Sequence, residues 1–160
     1  MTDLLHAPGF LGTNANFAAD MTLLLSLLVV IIFSYGFYLA RRGHYDTHKW
    51  VQTTGAVLNI ILVLWLMILP YRDFILRDGG GPREAIFYGV TSVHALVGFA
   101  AFTFGNFVVL RGHKLVPEKL RFNNYKPFMR TAYALYMLTT GLGVWTYYTW
   151  FVTTSRPPVF

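Results

Sequence analysis

MTLLLSLLVVIIFSYGFYLARRGHYDTHKW, Met21 to Trp50, governs how the rest of the chain is read. Its leading part, Met21 to Ala40, contains no Asp, Glu, Lys or Arg, whereas Arg41 to Trp50 holds Arg41, Arg42 and Lys49 with Asp46 and two histidines. An α-helix needs about 20 apolar residues to cross a hydrocarbon core of about 30 Å. The stretch therefore reads as one membrane span, followed by a short basic turn that leads into the next.

The rest of the chain repeats the pattern. Trp50 to Tyr71, Ala85 to Leu110 and Thr131 to Ser155 are also charge-free, and each is longer than the first window. Only 12% of the 160 residues are charged and 55% are hydrophobic, against about 25% charged in an ordinary soluble domain. A backbone in lipid must pair its own N–H and C=O groups, so each window is expected to be helical. A soluble bundle would need polar outer faces, which these windows lack. The expected fold is all-α: a single transmembrane four-helix domain over residues 1–160, with helices at about 20–41, 49–71, 84–111 and 128–153. Trp50, Tyr71, Tyr147, Tyr148 and Trp150 fall near window ends, where amphipathic rings favour the interface.

Loop charge sets the expected orientation. Arg41 to Lys49 carries three bases against Asp46, and Arg111 to Arg130 carries six against Glu118. Arg72 to Glu84 is balanced, and the stretch from Met1 to Asp20 holds Asp3 and Asp20 with no Lys or Arg. The positive-inside rule places the first and third connections in the cytoplasm and both termini outside, as expected for a multi-pass membrane protein. Basic residues at membrane ends do not form a nucleic-acid-binding face; the expected partners are the lipid bilayer and a larger membrane complex. The N-terminal MTDLLHAPGF lacks the basic start and long apolar core of a cleaved signal, so the first span is expected to be retained. PGFLGTNA, Pro8 to Ala15, reads as a turn-rich outer segment lying on the membrane or against a partner.

A partial repeat is visible. FYLARRGHYDTHKW is echoed by FVVLRGHKL and NNYKPFMRT, which aligns His44 with His113 and His48 with Tyr125. Two hairpins of one orientation would form a parallel repeat about an axis along the membrane normal. The repeat brings His44, His48 and His113 to one membrane face as a candidate metal cluster, since imidazole suits copper, zinc, iron or haem. The alternative is interfacial histidines that cap helix ends or meet headgroups.

His94 stands inside the third window, where an ionisable group is costly and marks a functional position by default. It shares a helical face with Gly98, Ala101 and Gly105, so it should point into the bundle. Counted from the basic end, it lies roughly 24 Å deep, and Met67 in the second window roughly 27 Å deep. His94 and Met67 are thus candidate axial ligands for a b-type haem. The plainer reading has His94 hydrogen-bonded to a neighbour such as Ser26 or Trp145, with Met67 filling space. Asn59, Gln52 and Asn106 are expected to bond between helices. The tyrosines of the fourth window line a cofactor pocket or simply pack.

The chain has no cysteine, so thiolate metal sites, iron–sulfur clusters, covalent c-type haem and disulfides are excluded. There is no phosphate loop, nucleophile–base pair or paired carboxylate. The chain is therefore expected not to be an enzyme.

Five short motifs, PGFLGT at Pro8, HKW at His48, HAL at His94, RGH at Arg111 and YKPFMR at Tyr125, make the chain resemble a family of small four-span bacterial membrane proteins. That family includes CtaM-like factors needed for maturation of haem–copper cytochrome oxidases. The likeness runs from about Pro8 to Phe151. It departs at Tyr125, where a histidine is expected before the lysine. The resemblance implies a non-catalytic accessory or assembly role in a respiratory or photosynthetic electron-transport complex, with contact to haem b or copper. Two other readings stand beside it: a b-type haem electron carrier, and a purely structural subunit that binds nothing.

Overall fold

A computed structural model of the chain describes residues 7–72, 85–121 and 123–153. The balanced second connection and the SRPPVF tail lie outside the described residues, apart from Arg72. The described chain is all-helical, with one isolated antiparallel bridge between Pro8 and Asn16. Its four long elements are α1 (Phe17–Arg41), α2 (Tyr45–Leu62), α3 (Ala85–Gly112) and α4 (Tyr125–Phe151). α2 continues through a π-helical turn, Val63–Met67, and a last α turn, Ile68–Tyr71.

The ends of the helices follow from local chemistry. Asn16 caps α1, its side-chain oxygen accepting from Ala19 N–H at 2.8 Å, so the helix starts before the charge-free window does. α1 stops at a left-handed Gly43, φ +83°. Gly43 N–H bonds to Ala40 O and His44 N–H to Leu39 O, the paired bonds of a Schellman stop. Because that turn is so short, α2 begins at Tyr45, ahead of the expected start at Lys49. α4 begins at Tyr125, with Pro127 in its first turn, where a missing N–H costs nothing. Pro70 likewise lacks an N–H, and the wider i→i+5 spacing precedes it, with Ile68 N–H bonding Val63 O.

Three helical stretches are long and apolar enough to cross a membrane: Phe17–Arg41, Tyr45–Met67 and Ala85–Gly112. α4 has comparable length, 27 residues, but is not one of these three, although its window was expected to supply a fourth span. It is rich in Thr and Tyr. Its threonines return their hydroxyls to their own helix, as in Thr139 to Leu135 O, Thr140 to Tyr136 O and Thr146 to Leu142 O.

The helices pack chiefly as two hairpins, α1 on α2 and α3 on α4, joined by α1–α4 and α2–α3 contacts. Close approach of α1 and α2 depends on Gly36 and Gly55: a Cβ on Gly55 would stand 2.6 Å from the Phe33 ring, and one on Gly36 2.5 Å from Gln52 Nε2. The start of α1 and the end of α4 lie at one end of the bundle, where Asn14 N–H bonds Phe151 O at 3.1 Å. The turn after Arg41 and the connection after Gly112 lie at the other, basic end.

The sequence echo between the hairpins is not matched by the way their first helices stop. In the second hairpin the left-handed residue is Lys114, φ +63°, with Lys114 N–H on Arg111 O and Leu115 N–H on Leu110 O. By stop geometry Gly43 matches Lys114 and His44 matches Leu115. The RGH triplets are therefore out of step: Gly112 is still helical, whereas Gly43 makes the turn.

Candidate functional site

The interior polar groups tie helices to one another. Ser34 on α1 meets Tyr133 on α4 at 3.0 Å. Tyr136 on α4 donates to Asn59 Oδ1 on α2 at 3.1 Å, and Gln52 on α2 donates to Phe33 O on α1 at 3.2 Å. Trp150 on α4 donates its indole N–H to Thr91 on α3 at 2.8 Å. Asn59 and Gln52 thus bond between helices as expected, but Asn106 bonds back to Phe102 O in its own helix. The tyrosines act as struts: Tyr133 stacks on Phe37 and Tyr136 meets Phe33 edge-on. Trp150, expected as an interfacial ring, is buried against Phe87.

His94 points inward. Its Nδ1 lies 3.0 Å from Thr139 O on α4. A carbonyl only accepts, so Nδ1 carries the proton and donates. The ring lies against Gly143, where a Cβ would come within 3.0 Å of His94 Cε1. The small-residue face holds for part of its length: Gly98 approaches Thr139, Ala101 is buried, and Gly105 faces open space. The partner of His94 is a backbone carbonyl, not Ser26 or Trp145. Met67 sits in the π-helical turn, which packs on α1, whereas His94 engages α4. The two candidate axial ligands thus belong to different helix contacts. The apolar depression beside the His94 helix has a volume of about 320 Å³ and is lined by Ile86, Gly89, Val90, Val93, Leu142 and Trp145. Its lining presents no imidazole or other metal ligand.

At the basic end the three remaining candidate histidines have three different environments. His44 is exposed at the start of α2, in the turn. His48 is buried against α1, its Nδ1 2.7 Å from Gly36 O. That carbonyl fixes the proton on Nδ1, leaving His48 Nε2 buried with no hydrogen-bond partner among the described residues. His113, at the end of α3, places Nε2 2.7 Å from Thr53 Oγ1 and meets the Trp50 ring edge-on. Among the described residues no group of three or more His, Asp or Glu side chains is close enough to hold a metal ion. The donor set of a self-contained metal centre is therefore not assembled from His44, His48 and His113. Of these three, His48 has the ligand-like arrangement of one nitrogen anchored on a carbonyl and the other bare.

The site that sequence reading missed lies at the opposite end. Asp20, in the first turn of α1, is fully buried. Its Oδ2 accepts from Phe10 N–H at 2.6 Å and Leu11 N–H at 2.8 Å, and its Oδ1 accepts from Tyr147 O–H at 2.5 Å. Tyr147 also meets the Thr13 hydroxyl at 2.7 Å. The PGFLGT segment therefore folds back as a closed loop over the bundle end, reinforced by Gly9 N–H on Ala15 O and Phe17 N–H on Ala7 O. Gly9 is required there, because a Cβ would stand 2.5 Å from Asp20 Oδ2. An acid at the edge of an oily window, following a glycine-rich turn, was the available signal.

Neither a protein-family model, nor a curated protein, nor a solved structure matches this chain.

Proposed function

We propose that the chain is a non-catalytic multi-pass component of a bacterial inner membrane, an accessory or assembly subunit of a respiratory or photosynthetic electron-transport complex. On this reading α4 is a fourth crossing, the basic end faces the cytoplasm and both termini lie outside. The reading takes its electron-transport element from the resemblance to oxidase maturation factors. One observation carries the non-catalytic part: among the described residues, the interior polar side chains named above bond across to a neighbouring helix or back to their own instead of converging on a cavity. A scaffold built this way holds its shape in lipid while offering broad apolar faces, with Ile31, Leu96 and Phe99 among its exposed residues, to neighbouring membrane subunits.

The test is isolation of the tagged protein in mild detergent, with its companions identified by mass spectrometry, together with terminal oxidase activity in membranes lacking it. Recovery of an electron-transport complex and a loss of activity on deletion are expected. If no such subunit is recovered and activity is unchanged, the proposal fails.

A second reading, contact with haem b or copper during assembly, is favoured by the bare, buried Nε2 of His48. There the chain would supply one ligand and a partner the others. A visible spectrum and metal analysis of the isolated complex test it: the signal should fall with His48→Leu and persist with His44→Ala.

A further inference from the structure

The two connections of the basic end meet at one seam. Thr53 Oγ1 donates its single hydrogen to Lys49 O at 2.8 Å. Its contact with His113 Nε2 must therefore be a bond that the imidazole donates. This pins the last turn of α3 to the first turns of α2. Beside it, Trp50 meets the His113 ring edge-on at 5.7 Å between centroids, and Lys49 Nζ lies 5.7 Å from the Trp50 ring. Lys114 follows His113 directly and is held in the left-handed turn. Lys49 thus lies over the aromatic platform, and Lys114 adjoins it in sequence, next to the His113 that packs on Trp50.

The surroundings select the ligand. Trp50, on the regular helix α2, is 65% exposed, and Leu115, in the hydrogen-bonded turn after α3, is 70% exposed. Bases outnumber Asp46 and Glu118 in the two connections, and Glu118 already pairs with Arg121 at 3.4 Å. A free anion would use the lysines and leave the indole and the leucine in water. An anionic phospholipid satisfies both, with its phosphate between the lysines and its glycerol and first methylenes on Trp50 and Leu115.

We propose that the Lys49–Trp50–His113–Lys114 seam binds the phosphate headgroup of an anionic phospholipid in the leaflet at the basic end. The inference rests on the chain spanning a membrane and is independent of any electron-transport role.

The test is native mass spectrometry of the full chain released from nanodiscs of mixed phosphatidylglycerol and phosphatidylcholine. The wild type should retain phosphatidylglycerol preferentially. Retention should fall about fivefold for Lys49→Gln or Lys114→Gln and further for the pair, with little change for Lys126→Gln, a base at the same end outside the seam. Three results overturn the site: equal retention by the double variant, an equal loss in Lys126→Gln, which would mark diffuse charge attraction, and displacement of the lipid by millimolar inorganic phosphate, which would mark a free-phosphate site. Failure of the protein to enter nanodiscs would instead remove the membrane reading itself.

Discussion

Asp20 and Tyr147, far apart in sequence, share a 2.5 Å hydrogen bond that ties the first turn of α1 to the last turns of α4. The same carboxylate holds two backbone N–H groups of the outer loop. It is a buried anion whose charge is balanced by three donors and no cation within the loop, so each bond is of the stronger, charge-assisted kind.

Removing that carboxylate should loosen the loop and the bundle end together. Asp20→Ala strands two N–H groups and leaves the Tyr147 hydroxyl with Thr13 alone, with an expected loss of roughly 2–3 kcal/mol. Thermal unfolding in detergent, followed by limited proteolysis before Phe17, reads the effect. Tyr147→Phe should cost less and leave the loop protected, because Phe10 and Leu11 keep their acceptor. Equal proteolysis of wild type and Asp20→Ala would show that the carboxylate does not hold the loop.

The contact of His94 with α4 is steric as well as polar. Gly143→Ala should push the imidazole off Thr139 O and destabilise by about 1–3 kcal/mol, as over-packing does. His94→Ala should cost a similar amount alone. In the double variant the new methyl occupies space the ring has left, so the two losses should not add. A double-mutant cycle with strictly additive effects would contradict the packing described for this pair.

Tyr136 and Asn59 offer a cleaner measure of a polar latch. Tyr136→Phe leaves the ring on Phe33 and removes only the hydroxyl, so a cost of about 0.6 kcal/mol is expected, the typical size of such bonds in membranes. Asn59→Leu should cost more in the wild-type background than in Tyr136→Phe. Unfolding in mixed micelles would separate these values, and a loss several times larger for Tyr136→Phe would mean that the hydroxyl has a further role.

His48 should divide stability from function. His48→Leu loses the bond to Gly36 O but also removes a buried lone pair that has no partner among the described residues, so the net change in stability should stay within about 1 kcal/mol. If His48 serves a bound group, the same variant should abolish the spectral or metal signal of the isolated complex while the fold survives. Strong destabilisation would show that the ring acts as a structural pin.

Much of the architecture is legible in the chain itself. Absence of charge over four windows locates four helices, because lipid-scale apolar runs leave the backbone no other way to pair its polar groups. The inward direction of His94 follows from its stripe of small residues. Helix starts fall a few positions away from the expected ones, because windows are bounded by charge whereas helices are bounded by caps: Asn16 and Gly43 set the ends of α1, and neither is charged. The histidine cluster at the basic end fails to assemble for a related reason. Similar words, RGH in both hairpins, occupy different positions relative to the helix stop, and an offset of two positions turns a side chain through about 200°.

Composition and period are enough to establish the class of this protein: its helices, their approximate lengths, the basic and acidic ends, and the exclusion of thiolate chemistry. Such properties are local and additive along the chain. The partners of the polar groups come from packing alone. Asp20 with Tyr147, His94 with Thr139, and His113 with Thr53 are pairings between helices, set by the angle and register at which the helices meet, and glycines such as Gly55 and Gly143 admit that approach. Rotation of a helix about its axis leaves its hydropathy unchanged and replaces every partner it touches, so no window of sequence encodes those contacts.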